Sequence, residues 1–233
     1  KADDSGGTPL DQTPPAALFQ MMLDVVFDTA DPARLLALLK HPLTSLGKDR
    51  KTARRGAEVL EIIAMRGTVV PFDIESILNL VAEPGTSDDR QEQRWTDRYG
   101  PADIELAADL GLALVKALRP LIDFVETKDT SVTEACRISV AAFEALGKDG
   151  EGSVKALYEG EAGEAFAAHL RALVSVSNEY KFDAREWPSV YRALTSGQSV
   201  KPRLGSDPRV YIWGALEARL QEGVASGTYQ YMT

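Results

Sequence analysis

The stretch PADIELAADLGLALVKALRPLIDFVE, residues 101–126, sets the fold class. Its apolar side chains recur at helical spacing, and Pro101 stands where the first turn of a helix tolerates proline. It predicts the longest helix of the chain, from Pro101 toward Glu126, kinked near Ala117 by Pro120. Downstream, Ser131 with Glu134 three residues on is a capping-box pattern. It opens a helix through Cys136, Val140, Phe143 and Leu146, which Gly147-Lys148-Asp149-Gly150 ends. Further helices are expected around 153–158 and 161–177. Another covers 183–195, begun near Asp183 and ended by Gly197.

Upstream the reading is the same. Residues 1–13 form an extended lead-in, and Pro14-Pro15 open a helix carrying Leu18, Met21, Met22, Val25 and Val26. Asp31-Pro32 is an N-cap followed by proline at the first helical position. It starts a short helix with Leu35, Leu36, Leu38 and Leu39, stopped before Pro42. A third helix is expected from Asp49 to Met65, basic early and apolar late, with Gly67 as its C-cap. A short one follows over 71–82, and Glu83–Asp89 reads as a charged loop. Only Val210-Tyr211-Ile212-Trp213 has the β-branched, aromatic character of a strand. The fold class is therefore mainly α, a multi-helix domain with a small β element near the C-terminus.

Composition narrows the function classes. The 233 residues are 44% apolar and 26% charged, an ordinary globular balance. One cysteine, Cys136, excludes an internal disulfide framework and predicts a cytoplasmic setting. With only His41 and His169 beside it, a Cys/His zinc cage is excluded. No run of 18 apolar residues predicts a membrane span. The chain begins at Lys1 without Met or signal peptide, which predicts a piece of a longer protein. The net charge of −9 opposes unaided, non-specific binding to nucleic acid. Local basic clusters would have to overcome it. The better one is Lys48, Arg50, Lys51, Arg54 and Arg55, the second Lys201, Arg203 and Arg209.

The sequence carries few catalytic motifs. Gly47-Lys48 and Gly147-Lys148 are followed by aspartate and lack the earlier glycine of a phosphate loop. No catalytic residue, metal ligand or cofactor site is assigned. Glu126-Thr127-Lys128 with Asp123 has the spacing of metal-dependent nucleases, but that chemistry needs adjacent strands and the segment reads as a helix end. His41 reads as a structural helix-end histidine whose cation would suit the helix dipole. His169 reads as structural or solvent-facing, and Cys136 as a small buried apolar residue. Trp95 and Tyr99, among Arg90, Arg94 and Arg98, anchor a loop to the core; stacking on unpaired bases is the alternative.

Two phrases carry a resemblance. Trp187–Gly197 followed by Asp207-Pro-Arg-Val-Tyr-Ile-Trp-Gly-Ala-Leu-Glu-Ala-Arg-Leu-Gln221 is one. Gly7-Thr-Pro-Leu-Asp-Gln-Thr-Pro14 followed by Leu35–Leu43 is the other. In this order and spacing the chain resembles the AddB subunit of the bacterial AddAB helicase–nuclease, in its alphaproteobacterial form. The resemblance implies a lead-in from a motor-like lobe over 1–15, a helical insertion-type domain over 16–197, and a return to the lobe over 198–233. It implies a role in double-strand break repair and recombination, contacting DNA or an AddA-like partner subunit. It places Glu217 and Arg219 where active relatives have a motif sensing nucleotide and DNA. Read as residues alone, these two form a pair supporting the fold. The family's Walker A segment would precede Lys1, and its nuclease and iron–sulfur cysteines would follow Thr233. The rival readings are a protein-binding helical scaffold and a metal-dependent nuclease built on Asp123, Glu126 and Lys128.

Overall fold

The structure, a computed structural model, describes residues 7–28, 31–62, 99–176 and 180–201. The expected helix at 71–82 and the charged loop after it lie outside the described residues. So do the expected strand at 210–213, Trp95, and Gly67.

The described residues form helices α1 (Pro14–Phe27), α2 (Pro32–Lys40), α3 (Arg50–Leu60), α4 (Pro101–Phe124) and α5 (Val132–Gly147). After these come α6 (Lys155–Tyr158), α7 (Gly160–Val174) and α8 (Trp187–Thr195). The fold is mainly helical, with one two-stranded sheet among the described residues. Strand β1 (Thr8–Pro9) pairs antiparallel with β2 (Ser199–Val200), Thr8 opposite Val200 and Pro9 opposite Ser199. Neither strand is legible from a two-residue stretch of sequence.

Local chemistry accounts for the helix starts. The Asp31 carboxylate accepts from the Ala33 amide at 2.9 Å, with Pro32 in the first helical position. Ser131 Oγ accepts from the Glu134 amide at 3.3 Å. The Glu134 carboxylate does not complete a reciprocal box and accepts instead from Thr130 Oγ1 at 3.3 Å. Asp183 caps a 3-10 turn over Ala184–Glu186 that leads into α8. Helix α4 runs through Pro120 and ends at Phe124. Proline costs it one interior hydrogen bond, which the buried apolar face on either side, Leu114, Leu118 and Leu121, offsets.

The core is aromatic at its centre. Phe19 of α1 meets Phe143 of α5 at 5.5 Å, Phe166 of α7 at 5.6 Å and Tyr191 of α8 at 4.8 Å between ring centroids. Phe143 and Phe166 stand edge to face at 5.5 Å. Such offset contacts add about 1 kcal/mol per pair beyond area burial. Fully buried Trp187 closes one side and donates its indole N–H to Ser139 Oγ at 2.9 Å. Helix α4 lies between α3 and α5, so it couples the basic start of α3 to the aromatic core.

Candidate functional site

The loop between α2 and α3 positions the basic cluster. Ser45 and Leu46 both donate backbone N–H to Leu146 O at 2.9 Å, and Gly47 donates to Lys148 O at 2.7 Å. These amides cap carbonyls that the end of α5 cannot satisfy internally. Leu46 adopts φ +51 in doing so. A left-handed leucine costs about 1–2 kcal/mol, and its burial together with the two hydrogen bonds holds it there. The loop is thereby fixed to α5, and it delivers Lys48 and Asp49 to the start of α3.

Asp49 caps α3, accepting from the Lys51 and Thr52 amides at 3.0 Å each. A hydrogen bond from the Thr52 hydroxyl, then the Thr52 amide, holds its carboxyl below the usual range. Arg50 and Lys51 follow in the first turn, both exposed, and neither makes an ion pair among the described residues. Cations at a helix N-terminus oppose the dipole, so these two charges work against the stability of α3.

The other three cations are engaged. Lys48 Nζ lies 3.6 Å from Asp109 of α4. Arg54 lies 3.4 Å from Glu58, one turn along its own helix. Arg55 forms a bidentate fork on Asp103 of α4, at 3.0 and 3.1 Å, with its guanidinium 5.1 Å from the Tyr99 ring centroid. The Arg55 hydrogen bond holds Asp103 below its ordinary range, and Asp103 raises Arg55 in return. All five residues of the predicted cluster thus lie on one loop and the first half of one helix, two of them without an ion pair among the described residues. Sequence reasoning missed Asp103 and Asp109. They stand about 50 residues further along the chain, and no local spacing links them to Lys48 or Arg55. Tyr99 packs against the Arg55 guanidinium, while the loop before it lies outside the described residues.

The nuclease-like residues have other partners. Residues 121–124 close α4, so the adjacent-strand arrangement that chemistry needs does not occur there. Both Glu126 carboxylate oxygens accept from Arg185 Nη2, at 2.6 and 2.7 Å, which holds the carboxyl low. Lys128 pairs with Asp183. Asp123 lies 4.0 Å from Arg119. The Glu126–Arg185 and Lys128–Asp183 pairs tie the segment after α4 to the turn before α8, while Asp123–Arg119 lies within α4. No group of three metal-ligating side chains occurs among the described residues.

The histidines are structural. His41 ends α2 as expected, yet it is not held as a cation for the dipole. Its Nδ1 accepts from the Leu43 amide at 3.3 Å, and burial lowers its pKa. His169 Nε2 lies 3.1 Å from Thr195 Oγ1, linking α7 to α8, and burial lowers it as well. Cys136 is buried, its thiol pushed up to about 12. An open groove of about 480 Å³ runs between α5 and α7, floored by Val140, Leu170 and Val174 and rimmed by Glu144, Tyr158 and Arg171. Lys201 is exposed at the end of β2. Arg203, Arg209, Glu217 and Arg219 lie outside the described residues. No described helix is long and apolar enough to cross a membrane. No family model, curated protein or solved structure matches the chain.

Proposed function

We propose that the chain is a non-catalytic helical module of an AddB-like subunit of a DNA double-strand break repair helicase–nuclease. It contacts DNA through the loop before α3 and the first turn of α3, while its parent subunit works beside an AddA-like partner. As a contact module it takes no cofactor of its own.

The observation that carries this reading is the pairing of β1 with β2. Thr8 lies opposite Val200, so the chain enters and leaves the helical body side by side. A domain inserted into a host lobe needs that connection, because its two linkers must meet neighbouring points of the host. Arg50 and Lys51 supply the chemistry. They are exposed, without ion pairs among the described residues, and stand in the first turn of α3, directly after a loop that is hydrogen-bonded to Leu146 and Lys148.

The test is fluorescence anisotropy of a labelled forked duplex titrated with the chain at about 50 and about 200 mM salt. Two to four phosphate contacts would weaken binding roughly ten- to hundred-fold across that range. Arg50→Glu with Lys51→Glu should abolish it. Absence of binding at the lower salt would overturn the DNA contact. The groove between α5 and α7 favours a second reading, a protein-binding scaffold, for which the partner subunit is the ligand to titrate.

A further inference from the structure

Two of the cations at the start of α3 are held by a single other helix. Asp109 takes Lys48, and Asp103 takes Arg55. We infer that two carboxylates of α4 are internal competitors for phosphate: Asp103 and Asp109 occupy cations that DNA would otherwise use, and the site opens fully only when a polyanion displaces them. This inference rests on the DNA reading above.

The geometry suits an exchange rather than a permanent bond. Side-chain exposures are 45% and 28% in the Arg55–Asp103 pair, and 22% and 62% in the Lys48–Asp109 pair. Half-exposed ion pairs are weak, since water and salt screen them. A duplex presents phosphates densely, so several neighbouring cations gain partners together. The Arg55 fork is already arranged for two parallel oxygens, the arrangement a phosphate also offers. Tyr99 beneath the guanidinium keeps the side chain in place once Asp103 lets go. Arg50 and Lys51 make the first contact, and Lys48 and Arg55 join when α4 releases them. The competition makes the module a weak DNA binder on its own and a stronger one wherever α4 is neutralised.

The experiment compares the full chain with Asp103→Asn/Asp109→Asn on the same forked duplex, over a salt series. The neutralised variant should bind roughly two- to thirty-fold more tightly at low salt, the range that two weak pairs can hide. Its slope of log affinity against log salt should stay close to the wild-type value, near about −3.6, because about four cations meet phosphate in either bound protein. Asp103→Glu/Asp109→Glu keeps both charges and should stay at the wild-type affinity. Equal affinity in the neutralised variant and wild type would overturn the competition while leaving the DNA contact standing. No binding by either protein at any salt would remove the DNA contact and the inference with it. A gain of affinity cannot come from a failure to fold.

Discussion

His41 and His169 carry the pH response of the fold. Both are half-buried, both accept or share a hydrogen bond through a ring nitrogen, and burial lowers both below the ordinary 6.5. A lowered folded-state pKa means the unfolded chain binds the extra proton more readily. Their contribution is then fully present above pH 6.5 and lost as pH falls through the folded-state values. The depressed carboxylates Asp49, Asp103, Asp183 and Glu126 act lower, below their ordinary 3.8 and 4.5. Thermal melts should therefore show a midpoint that falls over the acidic window below about pH 6.5, and His41→Gln with His169→Gln should flatten that slope. A wild-type midpoint unchanged across that window would contradict the neutral, half-buried assignment. Sequence alone placed His41 at a helix end correctly. It could not show that the ring turns inward to the Leu43 amide, because desolvation depends on what packs above it.

At the scale of elements, the helix starts were legible and the contacts between helices were not. Asp31, Asp49 and Ser131 act within three residues of themselves, so a local pattern suffices to find them. The pairing of Arg55 with Asp103, or Glu126 with Arg185, depends on how α3 meets α4 and how the end of α4 meets the turn before α8. Close approaches between helices are equally invisible in sequence. A Cβ on Gly163 would stand 2.3 Å from the Tyr158 carbonyl carbon, where α6 turns into α7. That neighbour is backbone and cannot swing aside. Gly163→Ala should lower stability in urea melts by more than about 1 kcal/mol. Gly100→Ala should change it by less than about 0.5 kcal/mol, because nothing lies within 4 Å of that position. Equal effects at the two glycines would show that α6 and α7 do not meet as described.

For the whole molecule, fold class was the most legible property. The 3.6-residue recurrence of apolar side chains gave a multi-helix body, and the buried faces of α1, α4, α5 and α7 bear it out. The closure of that body was not legible, since β1 and β2 are two residues each and about 190 apart in the chain. The closure is also what the proposed function stands on. Opposed residues in an antiparallel pair have Cα atoms about 4.5–5.5 Å apart, within disulfide range. Cys136 is buried with its thiol raised to about 12, so it should not compete for oxidation. The most direct measurement is oxidation of Thr8→Cys/Val200→Cys under dilute conditions, followed by non-reducing electrophoresis, free-thiol counting and a melt. The account predicts a monomeric, internally cross-linked chain with a raised unfolding midpoint, the two introduced thiols consumed. Free thiols, or cross-linked dimers alone, would contradict it: the chain would not enter and leave the helical body at one place.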